Sequence, residues 1–259
     1  MHVKIDKRLI YANLIFNKEI KYNENIVLHP IKMSKIMDFQ QFQVSITLYK
    51  DSLFQEKDVL KMTYLDFLKF TFRNKEFAEK YGMPILQVYF DFAMGLLRMA
   101  CGEDAKIEFK PKSLDFTING EEITPEIFDD IRRIIILQND IDFDIDEFIN
   151  KDTLEALEKA KEFEAKKRKE KAEIEDYIDS LIVGLKVTEE YIENMTIRKF
   201  WRYIKRINVY DSYKILKTAE YGGMVTLKEP VKDWMTSIDV ADKYQNLKAD
   251  EGELRSKIG

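Results

Sequence analysis

Residues 84–101 read PILQVYFDFAMGLLRMAC, and this apolar stretch decides the fold. Pro84 suits the first turn of a helix, and Gly102 stands where a helix end commonly needs a positive φ angle. The run approaches membrane-spanning length, but Asp91 and Arg98 within it would be costly against lipid. We therefore predict a buried helix over 84–101 at the centre of a folded domain.

The composition places the chain among globular, helix-rich proteins. Its 259 residues are 45% apolar, enough for one large or two modest cores, and 9 Gly and 5 Pro favour long helices over a turn-dense all-β fold. A net charge of -5 provides no global field that would hold nucleic acid or an anionic membrane. The single cysteine and the lack of a leader-like amino terminus predict a cytoplasmic protein without disulfides.

The segments before the central helix carry weaker patterns. Residues 2–31 show short apolar clusters rich in β-branched and aromatic residues, which favour short strands or an irregular cap. From Asp58 to Phe72 apolar residues cover nearly every side of a helix, so we expect that helix to be buried on most sides.

A β-hairpin is predicted at 114–123. Asn119-Gly120 readily takes the positive φ angles of a type I′ turn between two apolar runs. Thr124 is a suitable cap and Pro125 a suitable first residue for the helix that follows. Together these features predict an amino-terminal α+β domain over 1–150.

A charged helical spacer is predicted over 151–180. Its centre has strong helix formers, no Gly or Pro, and opposite charges four residues apart, as in the pair Glu162 and Lys166. We expect a single exposed helix from Glu158 to Glu175, joining two bodies.

A helical carboxyl-terminal domain is predicted over 181–235, followed by a flexible tail at 236–259. Thr196 is a suitable cap for a helix whose apolar stripe is formed by Ile197, Phe200, Trp201, Ile204 and Ile207. A second helix is expected from Asp211 to Tyr221. The stripe either packs against that helix or is presented to a helical partner. The predicted fold class is thus mainly α with a small β component (α+β), in two bodies joined by a charged helix.

The sequence offers no set of residues suited to catalysis, metal binding or a cofactor. His29 is the one histidine within the folded body, so neither a Ser-His-Asp arrangement nor a two-histidine metal site is readily assembled. The acidic run 140–147 resembles the start of a calcium loop, but Ile145 and Lys151 stand where Gly and Glu are required. Cys101 is interpreted as a small core residue. We predict that the protein is not an enzyme.

Two groups of segments resemble tail-module proteins of phages that infect low-GC Gram-positive bacteria, similar in character to tail assembly chaperones. The first group comprises His29–Met33, Ser45–Lys50 and Lys61–Leu68. The second comprises Met195–Tyr203, Ala219–Val225 and Glu229–Met235. The resemblance implies a protein of the infected host's cytoplasm that binds the tape-measure or tail-tube protein during assembly.

The leading functional hypothesis is therefore a phage protein that binds other proteins. The predicted partner site is centred on Trp201 and includes Arg198, Arg202 and Lys205, because Trp and Arg often carry interface energy. The first alternative is a structural component of the virion, a connector or baseplate subunit. The second is a nucleic-acid-binding protein, which the basic side of the Thr196 helix would serve.

Overall fold

The computed structural model describes residues 8, 10–147, 149–167, 172–222 and 230–238. The chain divides into two compact units. The first comprises Met1–Phe148 and Glu193–Lys199, and the second comprises Ile149–Ile192 and Phe200–Gly259. The architecture is mainly α-helical with small antiparallel sheets, which confirms the predicted fold class.

The first unit contains helices α1–α8 and strands β1–β5. The helices are α1 (Tyr11–Ile15), α2 (Ile36–Phe42), α3 (Lys50–Leu53), α4 (Lys57–Lys61), α5 (Tyr64–Arg73), α6 (Lys75–Lys80), α7 (Tyr89–Cys101) and α8 (Pro125–Gln138). The strands are β1 (Ile20–Lys21), β2 (Val27–Leu28), β3 (Ile107–Lys110), β4 (Asp115–Ile118) and β5 (Glu121–Glu122). Strand β1 pairs with β2, and β3, β4 and β5 form a meander in that order. Short 3-10 segments lie at Met33–Lys35, Gln43–Ile46 and Pro84–Val88.

Helix α7 lies in the core of the first unit, as the sequence predicts. It packs against α2 and α5, and Leu96 and Leu97 are buried. Gly102 ends the helix with a φ of 85°, which confirms the expected positive angle. The α-helix is shorter than predicted, because the turn after Pro84 is a tighter 3-10 helix.

The apolar segment before α7 forms two helices where one is predicted. Thr63 interrupts it with extended backbone, and its hydroxyl accepts a hydrogen bond from the Asp66 amide at 3.2 Å. A Thr with an acidic residue three positions later is a helix start signal, and here it overrides the continuous apolar pattern. The expected burial is confirmed for Phe67 and Leu68, which are inaccessible to solvent, but not for Leu60 and Phe72, which are 39% and 38% exposed.

The hairpin and the helix after it form as predicted. Asn119 and Gly120 have φ angles of 51° and 84°, as a type I′ turn requires. The hydroxyl of Thr124 accepts a hydrogen bond from the Ile127 amide at 3.3 Å, and Pro125 begins α8. The strands expected before residue 31 are present as β1 and β2, whereas the short helix α1 is absent from the prediction.

Residues 193–199 belong to the first unit, although they lie far in sequence from its other residues. The Met33 amide donates to the Met195 carbonyl at 2.8 Å, and the Ile197 amide donates to the Ile31 carbonyl at 2.9 Å. This antiparallel pairing buries Met195 and Ile197. Two segments that carry the phage-protein resemblance are therefore hydrogen-bonded to each other.

The second unit contains most of four helices: α9 (Lys151–Lys167), α10 (Ile174–Leu185), α11 (Glu189–Asn194) and α12 (Ile197–Tyr221). The prediction of one uninterrupted helix from Glu158 to Glu175 is wrong. Glu173 has extended backbone and forms a reciprocal capping box with Asp176, so a new helix begins at Ile174. Residues 168–171, at the centre of the predicted spacer, lie outside the described residues.

Helix α12 corrects a second prediction. The two helices expected between Thr196 and Tyr221 form one helix of 25 residues. No Gly or Pro interrupts this range, so nothing in the sequence stops the helix before Gly222. Most of the predicted tail, 239–259, lies outside the described residues. Among the helices described, none is both long and apolar enough to cross a membrane.

Candidate protein-binding surface

Helix α12 carries most of the predicted partner site, and its start is fixed by Thr196. The Thr196 hydroxyl accepts a hydrogen bond from the Lys199 amide at 3.3 Å, which confirms the predicted cap. At the other end, the Gly222 amide donates to the Thr218 carbonyl at 2.9 Å. The helix therefore presents one continuous set of side chains from residue 197 to residue 221.

The apolar stripe of α12 packs against α10. The Tyr177 ring lies 5.3 Å from the Trp201 ring at 72°, an edge-to-face contact. Further along the two helices, a glycine at position 184 allows them to approach closely, because a Cβ there would lie 3.3 Å from the Ile207 side chain. From the first contact to the second, the residue number increases in both helices, so α10 and α12 run parallel. The interpretation that the stripe packs against a helix at 211–221 is wrong, since those residues continue the same helix.

The four predicted site residues differ in exposure. Arg198 belongs to the first unit and is only 6% exposed. Trp201 and Arg202 are half-buried in the second unit, and Lys205 is exposed. The Trp201 ring also makes an edge contact with Phe200 at 5.1 Å, so much of its apolar surface is used inside the protein.

Helical spacing extends the predicted site along α12. Arg202, Lys205, Ser212 and Leu216 recur at intervals of three, seven and four residues, which places them on one side of the helix. Lys205 and Ser212 are exposed, and Leu216 is 41% exposed. We call this set the Arg202–Leu216 face; it is basic at its amino-terminal end and apolar at its carboxyl-terminal end.

The segment 230–238 covers a neighbouring side of α12. Arg206 donates hydrogen bonds to the Trp234 carbonyl and, at 3.0 Å, to the Thr236 carbonyl. The Trp234 ring lies 5.0 Å from the Tyr210 ring at 63°. Arg206, one of the cations on the predicted basic side, thus binds backbone within the second unit.

Sequence reasoning missed the exposed apolar residues at the end of α12. Ile215 is 69% exposed and Tyr221 is 84% exposed, and Lys217 lies 5.6 Å from the Tyr221 ring centre. The length of the helix indicates these exposed residues, because a helix of 25 residues extends beyond a partner as short as the 12-residue α10. The prediction of two shorter helices hides this difference in length.

The groups considered for chemistry lie elsewhere, in the first unit. Cys101 is buried at the end of α7, which confirms its interpretation as a core residue, and burial raises the pKa of its thiol to about 11. His29 Nδ1 lies 3.5 Å from the Glu19 carboxylate on the surface. Within the described ranges, no group of three His, Cys, Asp or Glu residues is arranged to hold a metal ion.

Comparison with known proteins gives one family match. Residues 166–239 match the family model described as the YomV second domain. YomV is a Bacillus phage-associated protein. The matched range is less than a third of the chain, and it contains the four predicted site residues and the Arg202–Leu216 face. Comparison with curated proteins and with solved structures gives no match.

Proposed function

We propose that this is a non-enzymatic phage protein that binds a tape-measure or tail-tube protein and assists tail assembly in the cytoplasm of the infected host. The observation that carries the proposal is the Arg202–Leu216 face, which lies within the range similar to the phage-associated YomV domain. The family match supports the phage association, and the resemblance of the two groups of segments to tail-module proteins supports the chaperone role.

The chemistry of the face favours a helical partner. Side chains at helical spacing form a long, narrow surface, which suits an amphipathic helix laid along it. Lys205 and Arg202 at one end would attract acidic side chains, and Leu216 at the other would bury apolar ones. A long helical assembly protein would present such a segment.

The test is capture of a partner from infected cells by the tagged protein and by its Leu216→Asp variant. Leu216 is 41% exposed, so a carboxylate there leaves the fold intact but places an uncompensated charge in the interface. We expect the variant to lose the tape-measure or tail-tube protein from the captured material by at least about tenfold. Lys205→Glu, on the same face, should weaken capture in a salt-dependent way.

Thr218→Asp is the matched control. Thr218 is exposed on the opposite side of α12 and receives the same new charge. Both variants should keep the far-ultraviolet circular dichroism and melting temperature of the parent protein. Equal capture by Leu216→Asp and Thr218→Asp would place the partner site outside this face.

Composition of the purified phage separates the proposal from a structural role. A chaperone leaves the assembly, so mass spectrometry of purified particles should find the tail-tube protein without this one. Stoichiometric presence of the protein in particles would instead indicate a connector or baseplate subunit.

A further inference from the structure

Three further residues of α12 lie on the side of the helix that carries the Arg202–Leu216 face. Val209, Tyr213 and Glu220 follow Arg202 by seven, eleven and eighteen residues, which are whole numbers of helical turns to within about 20°. Val209 and Tyr213 are partly exposed, and the side chain of Glu220 is 34% exposed. We call these three residues and the Arg202–Leu216 face together the extended face.

The extended face changes character along α12. It begins with the basic residues Arg202 and Lys205, continues with apolar residues such as Val209 and Leu216, and ends with the acidic residue Glu220. At 1.5 Å per residue, the basic and the acidic end lie about 27 Å apart. A surface that is basic at one end and acidic at the other is complementary to its own copy turned end for end.

One register of an antiparallel pair of α12 helices matches both the charges and the apolar side chains. This register places residue 211 of one copy opposite residue 211 of the other. Arg202 then lies opposite Glu220 of the second copy. In the same register, Val209 lies opposite Tyr213 of the second copy. Such a pair has two-fold symmetry, so each of these contacts occurs twice.

The charges of α12 disfavour a parallel pair. The first ten residues of the helix, 197–206, contain five basic residues and no acidic one. A parallel pair would bring the two basic segments together, whereas an antiparallel pair separates them. The antiparallel arrangement also sets the dipoles of the two helices in opposite directions. A second copy is therefore expected to bind end for end.

Glu220 can take part in this contact although it already binds a lysine of its own helix. Lys217 Nζ donates to Oε2 of Glu220 at 2.8 Å, and a carboxylate accepts hydrogen bonds through both of its oxygens. An ion pair at the surface contributes little by itself. The apolar side chains between the charged ends must therefore provide much of the affinity, while the charges set direction and register.

We propose that two copies of the protein associate through the extended face, with their α12 helices antiparallel. A contact between two single helices lies at the small end of protein interfaces, so the dimer is weak, with a Kd on the order of 10 µM. The proposed phage partner uses the same face, so the dimer covers the site until that partner displaces the second copy. This displacement rests on the proposed function, whereas the association of two copies does not.

The test is sedimentation equilibrium of the full-length protein and of charge variants, from about 1 to about 300 µM. The parent protein should change from monomer to dimer across this range. Arg202→Glu and Glu220→Arg should each weaken the dimer at least about tenfold, because each turns two attractions into two repulsions. The double variant exchanges the two charges and should recover the parent affinity to within about threefold. A double variant as weak as the single variants would overturn the antiparallel register.

Asp211→Arg is the matched control. Asp211 binds Lys214, three residues away, at 2.8 Å, as Glu220 binds Lys217 at the same distance. The change therefore breaks an equivalent ion pair and alters the net charge equally, but about 180° away from Arg202 around the helix. Its Kd should stay within about threefold of the parent value. Equal weakening by Asp211→Arg and Glu220→Arg would show that net charge controls the association, and would overturn the proposal.

Cysteine cross-linking locates the contact without changing a charge. Ser212 is exposed and lies one residue from the centre of the proposed register. Ser212→Cys should therefore be joined to its copy by a short bismaleimide, while the native Cys101 is buried. Thr218→Cys, on the opposite side of α12, should not be joined. Equal cross-linking of the two variants would contradict a contact through the extended face.

The outcomes separate this proposal from the proposed function. A protein that stays monomeric at every concentration, while its Leu216→Asp variant still loses the captured phage protein, overturns self-association alone. A dimer that follows the charge exchange, combined with equal capture by Leu216→Asp and Thr218→Asp, assigns the extended face to self-association and overturns the proposed partner site.

Discussion

Leu96 shows how much of the first unit depends on single side chains in α7. It is fully buried between the helices that pack on α7, and Gly95 beside it leaves space for the Phe42 ring, which would lie 2.6 Å from an added Cβ. Packing of this density leaves no room for water or for a polar group. The identity of each residue on this side of the helix is therefore set by its neighbours.

Leu96→Asp should abolish soluble expression, because an unpaired carboxylate in this interior costs more than about 4 kcal/mol. Arg98→Asp is the control on the same helix: Arg98 is exposed, so the loss should be about 1 kcal/mol or less. The yield of soluble protein measures the effect of both changes, and chemical denaturation measures the stability of Arg98→Asp and of any soluble Leu96→Asp protein. A cooperatively unfolding Leu96→Asp protein would contradict the core position of α7.

Cys101 allows a test of burial without mutation. Burial raises the pKa of its thiol from 9.0 to about 11, and the thiolate is the reactive form. At pH 8 the native protein should react with a disulfide reagent at least about a hundredfold more slowly than the protein unfolded in guanidinium. Absorbance of the released thiol follows the reaction. Equal rates in the two states would show that this end of α7 opens readily.

At the level of elements, sequence patterns predicted local structure where capping or turn chemistry was explicit. The Asn119-Gly120 turn and the Thr124 and Thr196 caps could be read directly, since each acts over three or four residues. Thr63 and Glu173 also cap helices through side-chain hydrogen bonds. Neither helix start is predicted from the sequence, because the apolar pattern around Thr63 and the charged pattern around Glu173 each favour one continuous helix. Two helices are predicted over the range of α12, although no Gly or Pro interrupts residues 197–221.

Glu56 joins the start of α4 to the end of α6 and predicts a pH dependence. Hydrogen bonds from Lys80 and then Tyr81 lower the pKa of its carboxyl from 4.5 to about 2. A folded-state pKa below the unfolded one stabilises the protein above the unfolded value, and this contribution is lost as the pH falls from about 4.5 toward 2.

Glu56→Gln should therefore lower the melting temperature at pH 6, and the difference from the parent protein should shrink as the pH approaches 2. Glu76→Gln, an exposed acid of α6, provides the control and should change little at any pH. Calorimetry across this pH range measures both. A constant difference between parent and Glu56→Gln would indicate that the residue acts through packing.

At the level of the whole molecule, the chain returns to its first unit after forming part of the second. Residues 193–199 lie between two segments of the second unit but belong to the first. Local periodicity cannot predict this, because the pairing of Ile31 and Met33 with Ile197 and Met195 depends on contacts between distant segments. The same limit applies to the predicted partner site: Arg198 matched the basic pattern of its helix, yet its side chain is buried.

Cleavage between α9 and α10 tests this arrangement. A specific protease site inserted after Lys167 should give two fragments that stay together in gel filtration, because residues 193–199 remain bound in the first unit. Ile197→Pro removes the donor to Ile31 and should weaken that association. Elution of the cut parent protein as two separate fragments would contradict the structure.

The pairing of residue 32 with residue 196 also sets an order of events on the ribosome. The Thr196 hydroxyl donates to Asn17, which lies 179 residues earlier in the sequence. Asn17 therefore cannot form this hydrogen bond until the chain between the two residues has been translated. At bacterial elongation rates this delay is on the order of ten seconds. During that time Ile31 and Met33 lack the contacts with Ile197 and Met195 that they make in the finished protein.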